Sequence, residues 1–128
     1  DNEVVKRQEI AGRYSALLAD KGYVLPTVRS DRTSVYAQYS LQHDERDRVL
    51  EDLKKEGIPT AIHYPVPLYR QEVFAGMGYN PEDFPVTEKV ARSTLALPFF
   101  NNMSEGQVEK VCQTPEDASL SQHAGRKE

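Results

Sequence analysis

The sequence of 128 residues contains no tryptophan and only one cysteine, Cys112. A single cysteine cannot form an internal disulfide bond. Cys112 lies on the apolar face of the last predicted helix. We expect a small core or half-buried thiol there, because a reactive cysteine needs cationic neighbours that this part of the sequence lacks.

The sequence also lacks long apolar segments. None of them approaches the roughly 20 residues that a membrane-spanning helix needs. The first segment, DNEVVKRQEIAGRY, has no apolar centre of the kind found in signal peptides. We therefore predict no membrane association and a cytoplasmic location.

Positive charge is neither abundant nor clustered. Sixteen basic residues stand against 20 acidic ones, for a net charge of -4. Without a run of Lys and Arg to follow a phosphate backbone, we predict no nucleic-acid partner. The three histidines, His43, His63 and His123, have no neighbouring ligands at the spacing of a metal site, so we also predict no bound metal.

The motifs of a self-contained catalytic centre are absent as well. The sequence has no glycine-rich phosphate loop, no nucleophile elbow and no convincing pair of carboxylates. A lysine that forms a Schiff base needs a desolvated or cation-rich setting. The lysines here lie on charged helix faces, at helix ends or in the C-terminal tail. We expect no catalytic centre from these residues alone.

What the sequence does contain is an alternation of helical and extended patterns. Ser34–Leu41 alternates apolar and polar residues, as a half-buried strand does. A helix then opens at His43, whose side chain we expect to cap it, and ends at Gly57. The series predicts an α/β (α+β two-layer) domain with helices packed on one face of a small sheet, its strand order left open. The other predicted elements are a helix at 2–19, a strand at 58–64, one or two helical turns at 69–75, a helix at 85–95, a buried strand or turn at 95–100, and a helix after the capping box of Ser104 and Gln107.

The length fits one domain with flanking segments. We divide the chain into a linking helix at 1–22, a small domain at 23–113 and a tail at 114–128. The tail is polar and aperiodic, so we predict that it is disordered. The first helix begins without a capping box, as expected if the sequence is part of a longer chain.

His63 and Tyr64 are the candidate site residues. They end a short apolar segment and precede Pro65 and Pro67, which fix the direction of the chain. Strand ends commonly present ligand-binding groups in α/β folds. Strand alternation would turn the two side chains to opposite faces, so we expect one to pack and the other to point at a partner or substrate.

Three segments form an ordered series: GIPTAIHYPVPLYRQ at 57–71, FPVTEKVARSTLALPFF at 84–100 and MSEGQVEKV at 103–111. The series resembles the C-terminal part of the DegT/StrS family of sugar aminotransferases. The preceding SVYAQYSLQHDERDRVLEDLKKEGI is similar to a strand and helix of that family, whose helix often opens with a pair like Arg46-Asp47. Tyr69 departs from the family, which often has histidine there.

The resemblance implies the small domain of a fold-type-I aminotransferase that acts as a homodimer. Such enzymes use pyridoxal phosphate and move an amino group, usually from glutamate, to a keto nucleotide-sugar. They serve lipopolysaccharide, other surface polysaccharide or antibiotic synthesis. The cofactor would be bound by an N-terminal domain that this sequence lacks, and the present chain would be inactive alone. His63 and Tyr64 match the His-Tyr position that borders the nucleotide-sugar site.

Two other functions stay open from the sequence. One is a free-standing α/β module that binds a peptide or small ligand at the HYPVP edge without catalysis. The other is a sugar dehydratase of the same fold family, which nothing in these residues separates from an aminotransferase. The module should have capped ends and should be a compact monomer, whereas a domain cut from its neighbour should expose an apolar face.

Overall fold

The computed structural model describes the backbone of residues 1–120 and the side chains up to Thr114. Four α-helices, two strands and three short 3₁₀ helices occur within this part of the chain. The helices are α1 (Asn2–Leu18), α2 (Arg46–Lys55), α3 (Pro85–Ser93) and α4 (Glu105–Leu120), the strands are β1 (Tyr39–Gln42) and β2 (Thr94–Leu97), and the 3₁₀ helices cover Leu68–Arg70, Glu72–Met77 and Pro81–Asp83.

The sheet consists of β1 and β2, which pair antiparallel with Tyr39 opposite Leu97 and Leu41 opposite Leu95. Isolated bridges extend it by one residue on each side, from Val24 to β1 and from Ala61 to β2. The predicted α/β class with a small sheet is confirmed, and the strand order that the sequence left open is antiparallel.

One predicted strand starts too early, and another does not form a regular strand. The first begins at Tyr39 instead of Ser34, and Val35 is 60% exposed. Its partner β2 has only four residues, so β1 can form a ladder over no greater length. The second predicted strand, 58–64, contributes only the bridge at Ala61, where the two N–H···O bonds to Ala96 measure 3.2 and 2.7 Å.

The core lies between one face of the sheet and three helices. Tyr39, Leu41, Leu95 and Leu97 share that face, since side chains alternate along a strand. They pack against buried residues of α1 (Ile10, Ala11, Tyr14, Leu18), of α2 (Val49, Leu53) and of α4 (Val108, Val111, Cys112). Helices on one face were predicted, as was the buried thiol.

Local signals at the helix ends are confirmed. Gly57 ends α2 with a φ of 71°, the left-handed conformation that glycine adopts without a Cβ clash. Ahead of α4, the Gln107 N–H donates to Ser104 Oγ at 3.2 Å and the Ser104 N–H donates to Gln107 Oε1 at 2.9 Å. His43 is an exception, because α2 begins at Arg46 and not at His43. Its Nδ1 accepts the backbone N–H of Glu45 at 3.1 Å, which precedes the helix, so the expected cap of a helical N–H does not form.

The last two helices differ from the prediction at their C-terminal ends. α3 stops at Ser93 and β2 starts at Thr94, so the chain passes from helix to strand without a loop. α4 continues to Leu120, past residue 114 where we predicted the tail to begin. The rest of the predicted tail, with His123, lies outside the described residues. Within residues 1–120, no helix is long and apolar enough to cross a bilayer.

Candidate ligand-binding groove between the 63–71 segment and helix α3

An open groove of about 520 Å³ lies between the segment that follows the Ala61 bridge and helix α3. Both walls are mainly apolar, and polar groups are few, as in many small-molecule sites. The segment contributes His63, Tyr64, Val66, Pro67, Leu68 and Gln71, and the opposite wall consists of Val86, Thr87, Val90, Ala91 and Thr94.

The segment is held in shape by its own backbone. Pro65 and Pro67 fix their φ angles and restrict the residues before them. The chain then turns through the first 3₁₀ helix, where the Arg70 N–H donates to the Pro67 carbonyl at 3.0 Å and the Gln71 N–H to the Leu68 carbonyl at 3.1 Å. This wall of the groove is therefore preformed by local geometry.

His63 and Tyr64 both face the groove. Their ring centroids are 5.5 Å apart with planes at 75°, and the peptide bond between them is cis. Both side chains are exposed, Tyr64 to 73%. The expectation that one of them packs in the core is wrong, because residues 58–64 form no regular strand and strand alternation does not apply.

His63 also borders a second, smaller concavity. This cleft of about 280 Å³ lies along the sheet edge, beside the Ala61–Ala96 bridge. Its polar lining comes from Gln38, Thr60 and His63. The imidazole therefore stands between two concavities and can hydrogen-bond a ligand that enters either of them.

Behind the groove, Glu88 of α3 binds two consecutive residues of the opposite segment. Arg70 Nε and Nη2 donate to the two carboxylate oxygens at 2.7 and 3.0 Å, and the Tyr69 hydroxyl donates to Oε1. The Arg70 guanidinium first, and then the Tyr69 hydroxyl, hold the pKa of Glu88 below its usual range. The carboxylate is thus charged near neutral pH.

Tyr69 also packs in a small aromatic cluster. Its ring stacks on Phe84 at 4.6 Å, and Tyr79 meets both rings edge-on. Partial burial, followed by the bond to Glu88, raises the pKa of Tyr69. This contact network could not be predicted from the sequence, because Tyr69 and Glu88 lie 19 positions apart and meet only in the folded chain.

The described residues do not fit a covalent pyridoxal-phosphate site. No lysine lines the groove or the cleft in the part of the chain that the structure describes. Lys6, Lys54, Lys55, Lys89 and Lys110 are exposed, and Lys21 is half-buried. Nor do three His, Cys, Asp or Glu side chains gather at metal-binding distance among these residues.

The profile of the DegT/DnrJ/EryC1/StrS aminotransferase family matches residues 1–115. This chain belongs to that family. UDP-2-acetamido-2-deoxy-3-oxo-D-glucuronate aminotransferase of Pseudomonas aeruginosa is 33% identical over 112 residues, which are 88% of this chain and 30% of that enzyme. A dTDP-3-amino-3,6-dideoxy-alpha-D-galactopyranose transaminase of Aneurinibacillus thermoaerophilus is 30% identical over 88% of this chain and 31% of its own length.

Solved structures of the family agree with this assignment. A DegT/DnrJ/EryC1/StrS aminotransferase from Brucella abortus superimposes with a TM-score of 0.82 at 30% identity, over 90% of this chain and 31% of that one. DesV of S. venezuelae, solved with a ketimine intermediate, gives a TM-score of 0.83 at 27% identity, over 98% of this chain and 33% of that one. The chain spans about a third of the length of these relatives.

Proposed function

We propose that this chain forms the substrate-facing wall of a pyridoxal-phosphate-dependent aminotransferase that acts on a keto nucleotide-sugar. The supporting observation is the exposure of His63 and Tyr64 on a mostly apolar groove, in a family whose relatives carry nucleotide-sugar names. The amino donor would be an amino acid, usually glutamate. The product would enter surface-polysaccharide or lipopolysaccharide synthesis in the cytoplasm.

In this proposal the chain binds and orients the nucleotide-sugar, and other residues hold the reactive cofactor. His63 donates a hydrogen bond from its imidazole to a sugar or phosphate oxygen. Tyr64 packs beside the ligand or hydrogen-bonds to it, while the apolar wall from Val86 to Ala91 displaces water. The cofactor and its lysine would belong to residues outside this sequence, in a larger protein that acts as a homodimer.

The binding role can be tested by titrating the isotope-labelled chain with UDP and with dTDP and following backbone amide shifts. We expect shifts clustered at residues 63–71 and 86–94. Replacing His63 or Tyr64 by Ala should weaken binding about fivefold or more, because a hydrogen bond and a packing surface are lost. His43→Ala is a matched control outside the groove and should leave the affinity unchanged. An equal loss in this control, or shifts elsewhere, would contradict the proposed binding role.

The cofactor part of the proposal needs separate measurements. Mixing the chain with an equimolar amount of pyridoxal phosphate should produce no stoichiometric imine absorbance, because its described lysines lack a desolvated setting. A full equivalent of stable imine would contradict it. The coding sequence upstream of Asp1 should encode a lysine in a pyridoxal-phosphate setting, whereas an initiator codon directly before Asp1 would favour the free-standing binding module.

A further inference from the structure

The contacts of residues 68–71 divide between the two sides of the groove wall. Leu68 and Gln71 line the groove, whereas Tyr69 and Arg70, which lie between them, bind Glu88. On α3, Thr87 likewise lines the groove, whereas the next residue, Glu88, binds Tyr69 and Arg70. Glu88 therefore connects the two walls from directly behind the space that a ligand would occupy.

The ion pair between Glu88 and Arg70 has a defined geometry. The Glu88 side chain is only 13% exposed, and both of its oxygens are engaged by the Arg70 guanidinium. Such two-point pairing fixes orientation as well as distance, which a lysine or a single hydrogen bond would not do. Arg92, one turn later on α3, lies 3.7 Å from Glu88 and is mostly exposed, so it adds charge but little constraint.

A second contact reinforces the first. Tyr69 stacks on Phe84, the residue immediately before α3 begins at Pro85. The segment is thus attached to α3 at its start by ring stacking and one turn further along by the carboxylate. Two attachment points on one helix prevent the segment from pivoting about either of them.

We propose that Glu88 is a positioning residue that sets the spacing between the 63–71 segment and α3, and through it the width of the groove. Tyr69, Arg70 and Glu88 are called the Glu88 clasp below. The clasp touches no ligand in this proposal, and it holds the wall that carries His63 and Tyr64. The effect of the clasp on substrate binding rests on the function proposed above, whereas its effect on the spacing does not depend on that function.

The primary test is Glu88→Gln, which keeps the size of the side chain but removes its charge and one acceptor oxygen. Amide exchange of Arg70 and Gln71 should become about tenfold faster, because the segment opens locally once its charged partner is lost. The Ala96 amide, which bonds Ala61 across the sheet, should exchange at the wild-type rate. Unchanged exchange at Arg70 and Gln71, or equal acceleration at Ala96, would overturn the proposal.

A matched control removes the charge from an ion pair elsewhere. Asp52→Asn does this on α2, where Asp52 binds Lys55 at 3.2 Å. It should leave exchange at Arg70 and Gln71 unaltered, and a similar acceleration would mean that loss of any carboxylate charge loosens this segment. Tyr69→Phe keeps the stack on Phe84 and removes only the hydroxyl, so it should give a smaller acceleration than Glu88→Gln.

Titration with UDP distinguishes the positioning role of Glu88 from the proposed binding of a nucleotide-sugar. If the wild-type chain binds UDP in the groove, Glu88→Gln should weaken binding severalfold while Asp52→Asn should not. Equal UDP affinity in wild type and Glu88→Gln would overturn the positioning role. Absence of UDP binding to the wild type together with faster exchange in Glu88→Gln would reject the nucleotide ligand and support the spacing role of the clasp.

Discussion

The Tyr14 hydroxyl in α1 donates a hydrogen bond of 2.7 Å to the backbone carbonyl of Pro98, 84 positions later in the sequence. The same ring is fully buried and stacks on Tyr39 of the sheet at 4.9 Å. Tyr14 therefore joins the first helix both to the sheet and to the segment that leaves it. This makes α1 part of the domain's core and not only a linker, although we predicted residues 1–22 as a linking helix.

Replacing Tyr14 by Phe should lower the free energy of unfolding by about 1–2 kcal/mol, because the ring stays packed while the Pro98 carbonyl loses its partner. Urea unfolding at neutral pH measures the difference. Tyr79→Phe is the control, since this half-exposed tyrosine makes ring contacts in the 3₁₀ region, and it should change stability by less than about 0.5 kcal/mol. Equal effects of the two variants would contradict the role of the hydroxyl.

The domain should lose stability in alkaline solution. Burial raises the pKa of Tyr14, Tyr23 and Tyr39 above the ordinary value of 10.0. Above that pH the unfolded chain releases these protons and the folded chain keeps them, so the free energy of unfolding falls as pH rises. The urea midpoint should decrease steadily between about pH 10 and pH 11, with tyrosinate absorbance at 295 nm rising as the chain unfolds.

Tyr23→Phe should reduce that pH dependence without abolishing it, because Tyr14 and Tyr39 still titrate on unfolding. A midpoint that stays constant across the same range would contradict the burial of these phenols.

Two leucines at the extremes of exposure should respond differently to truncation. Leu53 of α2 is 0% exposed in the core, whereas Leu68 on the groove wall is 67% exposed. Leu53→Ala should cost about 3–5 kcal/mol through lost burial and a cavity, and Leu68→Ala should cost less than about 0.5 kcal/mol. Chemical denaturation measures both, and comparable losses would show that the groove wall is part of the cooperative core.

The capping box ahead of α4 should contribute measurably to stability. Ser104→Ala and Gln107→Ala each remove one of two reciprocal bonds and should each cost about 1 kcal/mol. Ser30→Ala, in an exposed turn, is the control for loss of a serine hydroxyl. The double variant tests whether the two bonds depend on each other, in which case its loss is smaller than the sum of the single losses.

Features encoded over a few neighbouring residues could be predicted from the sequence. The capping box at Ser104 and the left-handed Gly57 are local signals, and the structure contains both. Helical spacing places Val5, Ile10, Tyr14, Leu17 and Leu18 on one face of α1. Ile10, Tyr14 and Leu18 are buried, whereas Val5 and Leu17 are 50% and 37% exposed.

Features that depend on distant partners could not be predicted. The length of β1 is set by β2, more than 50 positions away, and alternation in 34–41 carries no information about that limit. His63 and Tyr64 could be predicted as site residues because Pro65 and Pro67 follow them directly. The residues that hold their segment, Arg70 and Glu88, are joined only by folding across 18 positions. The ligand-binding role of His63 and Tyr64 stays a prediction.

The direct passage from Ser93 to Thr94 has a mechanical consequence. A hinge needs residues that can absorb a change in backbone angles, and none separates α3 from β2. A ligand that displaced α3 would have to bend or shear the ladder with β1 at the same time. The far wall of the groove is therefore joined directly to the sheet through α3 and β2, whereas the wall that carries His63 follows the bridge at Ala61.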